Sequence, residues 1–393
     1  MPYSEEQIRI PAVLMRGGTS RGLYVMRAAL PSNPRMRDRV ILKMYGSPDI
    51  RQIDGIGGAD ALTSKLAIIG PPTRPDADVD YTFAQVSITD DLVDYSGNCG
   101  NISSGVGPFA IDQGLVDVVE PATTVRIHQT NTKSIIVAEV PVSNGRAAVQ
   151  GDYGIDGVPG SGARIGLDFS DSAGGVTGRL LPTGNARDTL DVPGVGRIDV
   201  SIVDAGNPCV FARAEDMGIR GTESADEIDA DRELGERIER IRSGVAARLG
   251  FVQDWRDAAK QSPYVPFFVM VSPPAEYRAV GSGRIVAADQ VDLVARLVFM
   301  LKMHKTYPVS GTVCTGAAAR IPGTLVHAVT RPEAQDRSLL LIGHPAGVID
   351  IQASVEMQGE KYKLTRASVG RTARRIMEGY VLVPASAMQD KVS

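Results

Sequence analysis

Gly97-Asn-Cys-Gly-Asn101 and Thr312-Val-Cys-Thr-Gly316 place a cysteine in matching settings, each followed by a run of small, helix-compatible residues. Together they indicate one layout used twice. A helix starting at each cysteine would set its thiol against unpaired backbone N–H groups, whose partial positive charge favours anions and lowers thiol pKa values. Two such helix starts facing one cleft would grip a small carboxylate. The duplication extends upstream, because Asp204-Ala-Gly-Asn-Pro-Cys-Val-Phe-Ala212 repeats the order of Arg16-Gly-Gly-Thr-Ser-Arg-Gly-Leu-Tyr-Val25: a strand, a polar glycine turn, a second strand. The stretch from Gly151 to Gly194, rich in Gly, Pro, Ser and Asp, reads as the connection between halves. A boundary near Gly184 gives lobes 1–184 and 185–393, with the last strand free to return to the first lobe.

The length of 393 residues suits two domains rather than one core, and a 43% apolar fraction supports a sizeable interior. Net charge is only -4, with no lysine or arginine block long enough to neutralise a row of phosphates, which argues against nucleic acid. The N-terminus has no apolar stretch of signal type, and apolar runs such as Phe267 to Val271 are too short to span a bilayer. A soluble cytoplasmic protein with no membrane partner is expected. Three cysteines cannot form a complete disulfide framework, and their spacings match no zinc pattern, so reduced thiols without a metal are expected.

Glycine is abundant, aromatics are scarce, and short β-branched runs recur between turns, which is strand-rich punctuation. Strands are expected at Ala12 to Met15, Leu23 to Met26, Ser64 to Ile69, Tyr81 to Ile88, Thr124 to His128, Ser134 to Val140, Asp199 to Val203, Val210 to Ala212, Phe267 to Val271 and Val326 to Val329. Helical periodicity predicts helices at Asp38 to Tyr45, Glu227 to Leu249 and Ala288 to His304.

Several segments carry candidate chemistry, each with a plainer alternative. In Gly97 to Gly107 (GNCGNISSGVG), glycines let the backbone approach a ligand, and Asn101, Ser103 and Ser104 can cap the helix start. The plainer alternative is a buried cysteine above an ordinary helix. Only nine of the 42 basic residues are lysine, and Lys65 opens an apolar run directly after the glycine-rich stretch from Asp54. Desolvated there, it would have a lowered pKa and serve as a base; otherwise its amine reaches solvent at a strand end. Arg16 to Gly22 could bind a carboxylate through Thr19, Ser20 and their N–H groups, or be a surface hairpin. No stretch offers a convincing nucleotide-binding context. His304-Lys305 would add positive charge to the cleft or merely favour a helix C-terminus. Asn101-Ile-Ser103 is a formal glycosylation sequon that a cytoplasmic chain leaves unused. Arg371 to Arg375 reads as a solvated helical face.

At MRGGTSRG (Met15 to Gly22), RQIDGIGGADALTSKLAIIG (Arg51 to Gly70), DVDYTFAQVSI (Asp78 to Ile88), GNCGNISSGVGPFAI (Gly97 to Ile111), SIVDAGNPC (Ser201 to Cys209), CTGAAARIPGT (Cys314 to Thr324) and RTARRIMEGYV (Arg371 to Val381), the chain resembles the PrpF family of carbon-carbon double-bond isomerases, especially its 2-methylitaconate Δ-isomerase branch. Related members act on methylaconitate, trans-aconitate or 4-oxalomesaconate. The resemblance implies an α+β, diaminopimelate epimerase-like fold of two pseudo-symmetric domains, each a curled, mostly antiparallel sheet around a central helix, with the site between them. It implies a reaction without cofactor, Lys65 as the proton carrier, and Cys99 near the substrate but dispensable. True epimerases place catalytic cysteines in patterns like CGNGxR and CGTG, whereas Cys99 is followed here by Gly-Asn-Ile-Ser-Ser and Cys314 by Thr-Gly-Ala.

The expected activity is therefore a 1,3-allylic shift on a small unsaturated di- or tricarboxylate, with Lys65, Cys99 and Cys314 as catalytic candidates. N–H groups at Gly100, Asn101, Thr315 and Gly316 would stabilise the enolate, with Gly18, Thr19, Ser20, Ser64 and Lys305 also at the substrate. Two rivals stay open: a racemase using both thiols, and a non-catalytic carboxylate-binding protein. The residues also leave open whether copies form a homo-oligomer.

Overall fold

The computed structural model describes residues 6–359 and 361–388. Its first half runs β1 (Gln7–Gly17), β2 (Ser20–Met26), α1 (Pro34–Tyr45), β3 (Lys65–Gly70), β4 (Val79–Val86), α2 (Gly100–Ser103), α3 (Val106–Asp112), β5 (Ala122–Gln129), β6 (Ser134–Ser143) and β7 (Ile165–Asp168). The second half repeats that order with β8 (Gly196–Ala205), β9 (Asn207–Arg213), α4 (Ala225–Ala230), α5 (Arg232–Arg248), β10 (Phe267–Ser272), β11 (Leu293–Phe299), α6 (Val309–Ala319), α7 (Leu325–Val329), β12 (Leu339–His344), β13 (Gly347–Gln358) and β14 (Lys361–Arg371). A last strand, β15 (Ala373–Pro384), follows.

The pairing repeats as well. β1–β2 is antiparallel, β2–β3 parallel, β3–β4 antiparallel, β4–β5 parallel, and β5–β6 and β6–β7 antiparallel. From β8 to β14 the six pairings have the same directions in the same order. This is the duplication expected from the two glycine turns, in the α+β class that the family resemblance implied. The halves are joined edge to edge, because β7 pairs with β14 and β15 pairs along the whole of β1.

Each half wraps its sheet around helices inserted at the same point in the order. Ile102, Val106 and Phe109 of α2 and α3, and Val313, Cys314 and Ala317 of α6, share one apolar core with the inward residues of both sheet halves. The outer helices cover the opposite sheet faces. Val40, Ile41 and Met44 of α1 pack on β2 and β3, and Leu234, Ile238, Ile241 and Val245 of α5 pack on β9 and β10. Local chemistry sets their ends. Asn33 accepts from the Met36 N–H ahead of Pro34, and α1 closes at Gly46 in the left-handed conformation, φ 73°. Among the described residues no helix is long and apolar enough to cross a membrane.

Three expectations fail here. The helix predicted over Ala288 to His304 is instead a short turn followed by β11, a seven-residue strand buried on both faces. A central strand needs no alternation, so its continuous apolar run imitates a helical face. Val326 to Val329, read as a strand, lies in α7, whose start is fixed by Thr324 accepting from His327 N–H at 3.0 Å. The single helix over Glu227 to Leu249 is two, because Asp231 leaves the helical conformation and caps α5 by accepting from Leu234 N–H at 2.9 Å.

Candidate active site

Lys65 is the first residue of β3, held between Gly22 of β2 and Gln85 of β4. Although it ends a glycine-rich loop, its side chain turns inward and is 2% exposed. The amine donates to Gln85 Oε1 at 2.7 Å and lies about 5 Å from the ring centres of Phe83 (5.3 Å) and Phe299 (5.2 Å). Gln85 is itself fixed, because its Nε2 amide donates to the carbonyls of Ala61 (3.2 Å) and Ser64 (3.0 Å). That leaves its oxygen to face the lysine. Burial lowers the Lys65 pKa, and Cys99, charged or hydrogen-bonded beside it, opposes the shift. The amine therefore sits in apolar surroundings next to the Cys99 thiol.

Cys99 occupies the N-cap position of α2, as the first sequence motif implied, and is buried. The loop before it is clamped by the second half: Asn207 Nδ2 donates to Asn98 O at 2.7 Å, Asn98 N–H donates to Asn207 Oδ1 at 2.8 Å, and Tyr264 OH donates to Asn98 O at 2.8 Å. The reciprocal contact is made by the β1–β2 turn, where Thr306 Oγ1, ahead of α6, donates to Thr19 Oγ1 at 2.9 Å. Each half thus uses its first glycine turn to hold the approach to the other half's central helix.

Around that turn lies a group of polar side chains. Gly18 has φ +51°, and a Cβ there would lie 2.1 Å from Asn101 Oδ1, so the turn needs glycine. Asn101 Oδ1 accepts from Thr19 N–H and from Arg371 Nε, both at 3.3 Å. Asn101 Nδ2 and Ser20 Oγ are buried and have no hydrogen-bond partner among the described residues. Two orphaned polar atoms beside this turn suit a ligand that supplies acceptors.

His304 and His344 share a local device. A backbone N–H two residues on, from Thr306 at 3.1 Å and Ala346 at 3.2 Å, donates to Nδ1 and leaves the proton on Nε2. Burial and the neighbouring Lys65 push His304 down to about 3, so it is a neutral ring. A cleft of about 1010 Å³ opens beside it, lined among others by Asp60, Gln85, Phe299, His304 and Lys305. On the other side of Thr306 is a smaller polar cavity of about 140 Å³, lined by Thr19, Tyr153, Thr306, His344, Asp350 and Arg371 among others.

Several predicted site residues lie elsewhere in the fold. Cys314 is not at a helix start: α6 begins at Val309 with Pro308 as its cap, so Cys314 is inside the helix, where it donates to Val203 O at 3.1 Å. In the repeated layout the counterpart of Cys99 is Pro308. Thr315 and Gly316 are interior helix positions too; Thr315 Oγ1 bonds Tyr307 OH at 2.9 Å, and a Cβ on Gly316 would press on Ile351 and Ala353. Their N–H groups belong to the helix and are not ligand donors. Ser64 donates to Val86 O at 2.9 Å and accepts from Gln52 Nε2 at 2.8 Å, away from the ligand side. Lys305 is mostly exposed and ion-paired with Asp60 at 2.6 Å across the mouth of the cleft. Arg371 to Arg375 is not a helical face but the end of β14 and the start of β15, and Arg371 is buried.

His344 escaped the sequence reading, Gln85 entered it only inside a family motif, and Arg371 was read as solvated. A glutamine inside an otherwise apolar strand was the available signal for Gln85, whereas nothing near His344 separates it from surface residues.

Comparison with known proteins places the chain among relatives that it matches over nearly its whole length. The chain is 53% identical over 378 residues to 3-methylitaconate isomerase of Eubacterium barkeri, covering 96% of this chain and 98% of that one. It is 40% identical over 377 residues to 4-oxalomesaconate tautomerase of Pseudomonas putida, covering 96% and 97%. The crystal structure of a methylitaconate Δ-isomerase superposes with a TM-score of 0.80 at 51% identity, covering 99% of each chain. The family described as PrpF protein matches residues 7–384, and the chain belongs to that family.

Proposed function

We propose that Lys65 performs a 1,3-allylic proton shift on a small unsaturated di- or tricarboxylate bound between the two halves. The chain is an isomerase of the Δ type, as its relatives are. The observation that carries the assignment of the base is the burial of the Lys65 amine beside Cys99 and Gln85. As a neutral amine it takes a proton from the carbon lying between the alkene and a carboxylate, and the electron pair left behind spreads through the alkene onto carboxylate oxygens. The resulting ammonium returns its proton to the far alkene carbon, which moves the double bond and restores the amine.

The dienolate is the costly species, and Asn101 Nδ2 and Ser20 Oγ are buried donors able to meet its oxygens. The neutral His304 ring adds no competing cation.

The two-thiol racemase is disfavoured on two counts. Cys314 is spent on Val203 inside α6, and the register position of Lys65 is taken in the second half by Phe267, since Gly22 pairs with Lys65 as Cys209 pairs with Phe267. At this register position only the first half carries a base. A purely binding protein would not need an amine stripped of water.

A methylitaconate is the first substrate to test, with a methylaconitate, trans-aconitate and 4-oxalomesaconate as alternatives of the same class. Incubation with each in deuterated buffer, followed by NMR, should show alkene migration in at least one. No migration and no exchange with any of them would overturn the reading. Cys99→Ser is expected to lower kcat by roughly tenfold and no more, the scale of one altered contact to the amine, because the serine hydroxyl still reaches it. A dead, folded Cys99→Ser protein would move the proton-carrying role to the thiol.

A further inference from the structure

Arg371 is 3% exposed at the end of β14, yet no carboxylate of the described residues lies within ion-pair distance of it. Its hydrogen bonds go to neutral acceptors: Nε to Asn101 Oδ1 at 3.3 Å and Nη1 to Gly370 O at 2.8 Å. Neither uses Nη2. Two other arginines are as deeply buried: Arg242 of α5 makes a double contact to Glu239, with Nε–Oε2 and Nη2–Oε1 both 2.7 Å, whereas Arg296 of β11 donates to the carbonyls of Glu223 at 2.6 Å and Ala295 at 3.0 Å and borders no such cavity with its free edge. A buried guanidinium lacking such a partner is costly unless a ligand supplies one.

The cavity that Arg371 lines also offers neutral donors to an anion. His344 lies on its wall with the Nε2 proton available, because Nδ1 accepts from Ala346 N–H. The charges of Arg296 and Arg371, after burial itself, hold His344 neutral. Two carboxylates also line this space; Asp156 is held by other groups, and the charge of Asp350 acts on Arg371 without reaching ion-pair distance. Asp156 Oδ2 is bonded to Arg284 and to Val348 N–H, each at 2.7 Å, and Asp350 Oδ1 accepts from Tyr153 OH at 3.4 Å. At about 140 Å³ the space suits a carboxylate and its carbon rather than a whole substrate. Its position fits as well, since Arg371 and Thr19 both bond Asn101, two residues along the chain from Cys99, the neighbour of the Lys65 amine.

We propose that this cavity is the subsite for the substrate carboxylate farthest from the migrating proton, with the Arg371 guanidinium as its counter-ion and His344 Nε2–H as a second donor. The proposal rests on the isomerase reading and names what selects its substrate: the site requires a second carboxylate at a fixed distance from the carbon that Lys65 deprotonates. Monocarboxylate alkenes would bind without an anchor and be poorly aligned.

The test compares itaconate with its half-amide, in which one carboxylate is neutral, as competitive ligands in calorimetry on the wild-type protein and on Arg371→Gln. In the wild type, itaconate should bind about 100-fold more tightly than the half-amide that blocks the remote carboxylate, and Arg371→Gln should remove most of that preference by weakening itaconate alone. Equal affinities in the wild type, or an unchanged preference in the folded variant, would overturn the proposal. If Arg371→Gln does not fold, Arg371→Lys keeps the charge but loses the fork, and its preference should drop about tenfold. An unchanged preference there would also overturn it. Because these are binding measurements, they stand whether or not alkene migration is seen, and so separate failure of the subsite from failure of the isomerase reading.

Discussion

Lys65→Met is expected to lower kcat by roughly 10⁴-fold, the upper range for removing a positioned base. Methionine fills much the same volume between Phe83 and Phe299, so the substrate cleft should keep its shape. The result is read from initial rates together with a melting curve, and a folded variant with wild-type turnover would overturn the base assignment. The pH dependence supplies a second readout. Burial lowers the pKa of this amine below its usual 10.5, and the neutral form is the active one, so kcat/KM should rise with pH along a limb whose midpoint lies below 10.5. Stability carries the same signature. Between the lowered pKa and 10.5 the unfolded chain binds more protons at this position than the folded one, so its contribution to stability grows as pH rises and shrinks as pH falls through that window. Lys65→Met should remove that slope and be no less stable than the wild type at neutral pH.

Gly22→Ala should damage the site from behind. A Cβ on Gly22 would lie 2.1 Å from Lys65 O and 2.9 Å from Lys65 C, contacts with backbone that cannot rotate away. Nearby, the Tyr45 hydroxyl donates to the same carbonyl while accepting from Leu23 N–H at 3.2 Å, so β2, β3 and α1 are locked together here. The strands must separate for the methyl to fit. A loss of about 3 kcal/mol in denaturant unfolding is expected, the upper part of the range for overpacking. Displacing the base should also cost roughly 100-fold in kcat in the fraction that remains folded. A variant with wild-type stability would show that the sheet yields at this point, and the rigid placement of Lys65 would have to be abandoned.

Much of the architecture was legible because the duplicated element is local. A strand, a glycine turn and a second strand form from neighbouring residues, and the turns at Gly18 and Gly206 need the left-handed backbone that glycine permits. Lys65 was legible for a related reason, since a rare lysine opening an apolar strand must turn either into the core or out to solvent. The failures are non-local. Whether Leu293–Phe299 is a helix or a strand depends on its being covered on both faces, and no feature within the segment reports that. The position of Cys314 was misjudged because Thr-Gly after a cysteine looks the same at a helix start and inside one. Arg371 was misread because its burial depends on Asn101, 270 positions away.

The pairing of β7 with β14 and of β1 with β15 bears on how the molecule is made. A nascent chain leaves the ribosome with β1 and β7 still lacking the neighbours that will complete them. Those neighbours, β14 and β15, are translated well after the strands they complete. A premature stop before residue 361 therefore strips hydrogen-bonding partners from two separate edges at once, and the released fragment would carry both as open templates for self-association.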